Sequence, residues 1–502
     1  MAPAIVPTPP MKNSLMILLA KTTMLAPAIV PAPHMKKPVM ILFAILLGTC
    51  SNPQSLLEEV RALGELRVVT RNHPTTYYAG PKGPEGPEYE LIEGFARFLG
   101  VELHLQTASR FTELLPAVER GKAHIAAAGI SITPELEQRV DFGPGYQEVT
   151  EHLIYKLGTT KPKSIDDLTG KHLEVVAGTS YAETLAEIRQ TGQGLTWTEN
   201  ANVDVEELLK QIAGGTIDYT VADSTVFSVY RNQVPKVGVA FDIGESNELG
   251  WAFPKRYDRS LIEQAERYFA FIRNNGDLKH ILDRYYGPTS RFDDFETLTF
   301  IRHYEHRLTE YQQSFQRAAK LTGIDWKLLA AMGYQESHWD PNAVSPTGVR
   351  GLMMLTKRTA GSLGITDRID PEQSILGGAI YFRRLKERIP AEITEPDRTW
   401  FALAAYNVGY MHLQDAQTIA RLQGNNPNRW VDVKQALPLL LEEKWHKQLP
   451  GGYARGWEPV RYVENIRNYY DIMKSLSSDK IQPEKKPAIQ ASQAVQRLAT
   501  RS

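Results

Sequence analysis

The sequence predicts a multidomain protein in which an α/β half is followed by an all-α half. Three observations predict it. Strand-like and helix-like segments alternate between about Leu66 and Gly287, the pattern of α/β units. From about Thr297 to Ser475 only helical periodicity remains. The chain has 502 residues, 42% hydrophobic and 23% charged, enough for two or three separate cores.

Leu66–Thr70 reads as a strand and Tyr89–Leu99 as an amphipathic helix that stops at Gly100. Val101–Gln106 is a second strand, Phe111–Arg120 a helix stopped by Gly121, and His124–Ala128 a buried strand. The pattern resumes with His172–Val176, Tyr181–Arg189, Val203–Ile212 and Tyr219–Ala222, and closes with a long helix, Arg259–Asn274. Such alternation argues for a parallel sheet. No Gly/Pro-rich linker separates the halves, so the junction falls at Ser290–Glu296, between segments 56–290 and 297–475. Residues 476–502 are rich in Lys, Gln, Ser and Pro and are expected to form a disordered tail.

The formal net charge is −1, which argues against a nucleic-acid partner, since that needs a concentrated basic face. The single cysteine, Cys50, excludes an internal disulfide and a cysteine metal cluster. No cofactor and no metal are expected. Ala-Pro-Ala-Ile-Val-Pro occurs at Ala2–Pro7 and again at Ala26–Pro31, so residues 1–34 read as a non-functional extension and Met35 as the start. Lys36 and Lys37 then precede a short apolar run, Val39–Leu47, an export signal over 35–50 rather than a membrane span. Leu47-Gly-Thr-Cys50 resembles a bacterial lipobox, although Thr49 departs from its usual small residue. The resemblance implies lipidation at Cys50 and membrane attachment, with the periplasmic face of the outer membrane expected by family analogy alone.

Glu336 is the candidate for chemistry. Asp325 can cap a helix that runs through Gly333-Tyr-Gln-Glu336. Leu329, Met332, Gly333 and Glu336 fall on one stripe. A carboxyl on an apolar stripe resists ionisation, which suits a general acid. A structural ion pair explains the same pattern equally well. Three further segments follow: Ser345–Leu355 with two glycines ahead of an apolar run, Ala404-Ala-Tyr-Asn-Val-Gly409, and Tyr462-Val-Glu-Asn-Ile466.

In this order the segments resemble the soluble lytic transglycosylase family, a lysozyme-like α-helical domain. Glu336-Ser337, Gly351–Leu355, Ala405–Gly409 and Tyr462 match its pattern, except that Met354 stands where the family has Gln. The resemblance implies cleavage of the β-1,4 bond between N-acetylmuramic acid and N-acetylglucosamine, with Glu336 as acid and then base. It places Ser337, Ser345, Met354, Tyr406, Asn407 and Tyr462 at the substrate, with Tyr462 expected to keep the Glu336 carboxyl protonated. Asp340, followed by Pro341, reads as a helix end rather than a second catalyst.

The α/β half resembles the periplasmic solute-binding family that recognises amino acids, through Gly86–Leu91, Ala128–Glu135, Val140–Phe142, Ala177–Ser180, Val221–Ser224 and Asn275–Gly287. That implies two lobes closing on a ligand, with Gly129, Ser131, Thr179, Ser180 and Asp223 at contact positions. The arginine that clamps the ligand carboxylate in relatives is Leu136 here, with Arg139 a turn away. A muropeptide or amino-acid-like ligand is expected, and Asp223 has a second reading as a helix cap. The pairing of modules resembles membrane-bound lytic transglycosylases.

Overall fold

The computed structural model describes residues 55–80, 83–190, 194–256, 258–287, 294–345 and 348–479. Cys50, the 35–50 signal and the 1–34 extension lie outside them, as does the tail beyond 479. The part of that tail before 480 is helical: Trp457–Asp479 is one continuous helix.

The first half is built on one seven-stranded sheet. Glu65–Arg71 pairs in parallel with Glu102–Ala108 and with Ile125–Ser131. Beyond Ile125–Ser131 the sheet is antiparallel: Val237–Pro254 follows, then Gln147–Lys156, then Tyr219–Asp223. The parallel sheet expected from the sequence is therefore found in three strands, and the rest of the sheet is antiparallel. Two long strands, Gln147–Lys156 and Val237–Pro254, carry the antiparallel part. Their charged and glycine residues hide the period-two signal, and neither is followed by a crossover helix.

These two strands pass through both lobes. Val149 and Leu249 lie in the first lobe's core with Leu66, Phe95 and Trp251. Leu153 and Val237 lie in the second lobe's core with Leu185, Leu208 and Phe227. Their pairing shifts register between Ile243 and Asn247, where the chain passes between lobes. Such bulges bend and twist a strand pair, and here they mark the hinge.

After Asp294 the chain is helical, with only isolated bridges at Val344–Arg350–Leu355 among the described residues. Its core gathers Phe315, Leu329, Met332, Trp339, Met353, Phe401, Trp430 and Ile466 around the Trp326–Ser337 helix. Asp325 caps that helix by accepting from the Lys327 N–H at 2.8 Å. The halves are joined by the last helix of the α/β half, Asp277–Tyr286. Asp277 pairs with Arg429, Asp283 with Lys434, and Lys279 with Asp432 at 2.9 Å. The terminal helix Trp457–Asp479 touches both sides. Arg467 Nη2 donates to the Arg284 carbonyl at 3.2 Å, and Asn232 Nδ2 in the second lobe donates to Asn468 Oδ1 at 3.1 Å.

Candidate active site

Glu336 stands in the last turn of its helix, which ends one residue later, at Ser337. The helix does not run on to Asp340, as expected from Pro341. His338 and Trp339 both adopt positive φ, 52° and 56°, a conformation unfavourable for residues with a β-carbon. Burial of Trp339 offsets that strain: its indole N–H donates to the Ala330 carbonyl at 2.8 Å and the ring is 1% exposed. The exposed Asp340 lies outside the site.

Two features fix the carboxyl. Gly333 brings the helix against its neighbours so closely that a β-carbon there would stand 2.9 Å from Phe315. Tyr462, from the terminal helix, donates its hydroxyl to Glu336 Oε1 at 2.6 Å. Burial raises the Glu336 pKa to about 7, and the Tyr462 hydrogen bond pulls against that rise. The expected sign for Tyr462 is thus reversed: a phenol that donates stabilises the carboxylate and eases proton loss. Among the described residues no cation lies within ion-pair distance of Glu336, which removes the structural ion pair. No second acid contributes to its shift.

The Gly351–Leu355 segment is a tight loop held by side chains from four places. Ser337 Oγ donates to the Leu352 carbonyl at 2.9 Å and Tyr406 hydroxyl to the Met353 carbonyl at 2.9 Å. Ser374 Oγ accepts from the Met353 N–H at 3.1 Å, and Arg368 Nη1 donates to the Leu355 carbonyl at 2.7 Å. Ser337 is therefore a brace between helix and loop, its hydroxyl engaged by backbone. Ser345 likewise accepts from the Val349 N–H at 3.0 Å. Met354 takes φ 46° and is partly exposed. The Tyr406 ring lies parallel to Tyr462, centroids 6.5 Å apart. Asn407 is exposed and its side chain makes no hydrogen bond among the described residues. Sequence reasoning missed Ser374 and Arg368. Both sit in segments that carry no motif, and only the fold brings them to the loop.

In the α/β half a cavity of about 40 Å³ lies between the lobes, lined by Arg71, His73, Gly129, Thr179, Asp223 and Tyr286 among others. That is room for a few waters. Arg71 of the first lobe pairs across it with Asp204 of the second. Many of the expected ligand contacts are engaged by the chain itself. The Gly129 N–H donates to Glu88 Oε1 at 2.7 Å, Ser180 Oγ to Glu151 Oε1 at 2.5 Å, and Thr179 Oγ1 to the Val176 carbonyl at 2.7 Å. Ser131 pairs with Leu249 in the sheet and does not line the cavity. Asp223 is the cap of Ser224–Arg231, accepting from Thr225 and Val226 N–H at 2.9 Å, and it also accepts from Tyr181 hydroxyl at 2.9 Å. Leu136 is buried, and Arg139 pairs with Glu119 at 2.8 Å, so neither supplies a carboxylate clamp.

The residues missed there are Arg71, His73 and Tyr286. Arg71 ends a parallel strand, where α/β sheets place ligands, and that signal was available. His73 Nδ1 is held by Thr75, 2.8 Å from its Oγ1 and 3.3 Å from its backbone N–H. Burial, with Arg71 beside it, lowers the His73 pKa to about 3, so the ring is neutral. Burial also raises the Glu151 pKa to about 7 and pushes Glu88 upward.

The fold and site together define the class. Residues 66–288 match the family described as bacterial extracellular solute-binding proteins, family 3, and residues 313–427 match the transglycosylase SLT domain. The chain is 47% identical over 426 residues to membrane-bound lytic murein transglycosylase F 1 of Alkalilimnicola ehrlichii, covering 85% of this chain and 86% of that protein. It is 44% identical to membrane-bound lytic murein transglycosylase F of Saccharophagus degradans, over 86% of each chain. The corresponding Pseudomonas putida protein is 44% identical over 86% of this chain and 89% of its own. The chain belongs to the membrane-bound lytic murein transglycosylase F family.

Proposed function

We propose that Glu336 alone serves as acid and then base in cutting the β-1,4 bond between N-acetylmuramic acid and N-acetylglucosamine, leaving 1,6-anhydromuramic ends. Family membership makes the chain a lytic murein transglycosylase, a lyase acting on peptidoglycan. The observation that carries the finer reading is a single half-buried carboxyl, pKa about 7, to whose shift no second acid among the described residues contributes. Protonated Glu336 gives its proton to the glycosidic oxygen as the bond to the anomeric carbon breaks. The carboxylate then takes the proton of the same sugar's 6-hydroxyl, whose oxygen bonds to the anomeric carbon and closes the ring. Water is not the nucleophile, so the second carboxylate of ordinary glycosidases is not required. An internal nucleophile brings an advantage of up to about 7–11 kcal/mol. Mass spectrometry of products from purified peptidoglycan tests it: anhydro-muropeptides are expected, and reducing ends in their place would overturn it.

Tyr462→Phe tests the tuning of the acid. Losing a hydrogen bond to the charged form raises the Glu336 pKa by about one unit. Since the acid works protonated, activity declines as pH rises through that pKa. The falling limb of the kcat/KM profile is therefore expected to move up by about one pH unit.

The reading includes regulation from the α/β half. The terminal helix carries Tyr462 and also contacts both lobes through Asn468 and Arg467. A lobe motion therefore bears on the helix that holds the Glu336 carboxyl. Titration of a peptidoglycan stem peptide by calorimetry, with the lytic rate followed in parallel, checks this. Binding heat with a changed rate is expected, and neither signal would remove the regulatory role. Export through the 35–50 signal and lipid attachment at Cys50, on the periplasmic side of the outer membrane, complete the proposal. No helix of the described residues is long and apolar enough to cross a membrane.

A further inference from the structure

The terminal helix begins with Trp457, 45% exposed, and just before it stands Tyr453, 58% exposed. Both are large rings facing solvent, unlike Trp339, Phe401 and Trp430, which are buried in the core of the same half. The segment that presents them is anchored rather than loose. The Gly451 N–H donates to Asp415 Oδ2 at 2.8 Å. Gly456 lies so close to the preceding turn that a β-carbon would stand 1.7 Å from the Leu437 carbonyl oxygen. Tyr453 meets the His446 ring edge-on at 5.6 Å, and Arg455 beside it pairs with Glu458 at 3.2 Å. Among the described residues no hydrogen bond takes the Trp457 indole N–H, so a ring face and a donor are both free.

The segment adjoins the candidate active site through one contact. Trp457 precedes Tyr462 by five residues on one helix, roughly 7.5 Å along its axis and about 140° around it, so the two side chains leave different faces. The link is made by Gly451, which rests on His412. That residue follows Tyr406, Asn407 and the exposed Met411 at the corner between two helices. We propose that Tyr453 and Trp457 form an aromatic platform for amino-sugar rings of the same glycan strand, beyond the bond being cut. The apolar C–H face of a pyranose packs on an aromatic ring as other apolar surface does, and the free indole N–H supplies a donor for its hydroxyl and acetamido oxygens. This rests on the lytic reading above and extends its substrate contact along the strand.

The test compares long glycan strands with short fragments that span only the cleaved bond, using the full chain. Trp457→Ala and Tyr453→Ala are each expected to raise KM for long strands about tenfold. The ratio of long-strand to short-fragment kcat/KM should fall by the same factor, and Trp457→Phe should restore most of it. Equal losses on both lengths, or no loss on either, overturn the platform. Sedimentation with insoluble peptidoglycan in the Glu336→Gln background reads the platform without turnover. If the unmodified chain cuts nothing, the lytic reading fails, while retention weakened by Trp457→Ala still supports the platform. Loss of binding to phosphatidylglycerol vesicles with glycan retention intact would assign the rings to a lipid surface instead and overturn it.

Discussion

Glu336→Gln is expected to lower the release of anhydro-ended fragments by about 10³-fold, the scale of losing a positioned general acid. Glutamine keeps the shape and can still accept from Tyr462, but it has no proton to give and cannot take one back. Both halves of the proposed cycle stop together. The same substitution carries a stability signature. Glu336 has its pKa raised from 4.5 to about 7 in the folded protein. Between those values the folded state binds more protons than the unfolded one, so stability falls as pH rises through the window. Glutamine has no such loss. Above pH 7 the variant should therefore be the more stable by up to about 3 kcal/mol, and near pH 4 the two should converge. Activity assays and thermal melts across pH check the pair of effects. A variant that loses activity but shows no pH-dependent gain would place the carboxyl in open water.

Gly351→Ala is expected to cost about 3 kcal/mol of stability, with lytic activity falling in the fraction that folds. Gly351 has φ 85°, and a β-carbon would stand 1.8 Å from the Arg368 carbonyl oxygen. Backbone cannot yield as a side-chain tip can. Relief requires the Gly351–Leu355 loop or the Arg368 strand of chain to move. Either movement disturbs the hydrogen bonds from Ser337 and Tyr406 that tie the loop to the Glu336 helix. For a helical half of this size the melting temperature should drop by about 8 °C. Gly364→Ala is the control: its φ is also positive, 73°, but nothing lies within 4 Å of the added carbon. It should be much milder, and equal effects would mean that the backbone conformation, not the close approach, sets the cost.

Much of the fold was legible because local chemistry and tertiary packing agree. The helix that stops at Gly100 ends in a left-handed glycine, φ 74°, where that residue alone is unstrained. The strand Glu65–Arg71 is where its apolar run places it. The two hinge strands were not legible. They cross from one core to the other, so the side chains that are buried change along their length, and a residue-by-residue pattern averages to nothing.

For the candidate active site, the sequence singled out the proposed acid: a carboxyl three and four residues beyond Gly333 and Met332, on a helix with a buried face, with its motif partners in order. Only the tertiary structure decided how that acid is tuned. Tyr462 lies 126 residues away, and whether its hydroxyl raises or lowers a pKa depends on which atom donates, a matter of distance and direction that order along a chain does not encode. The α/β cavity gives the same lesson from the other side. Contact-type residues stand at Gly129, Ser180 and Asp223, yet folding brings Glu88, Glu151 and a helix N-terminus to those donors and acceptors first. Sequence lists the groups that can bond, and the folded chain determines which of them remain free.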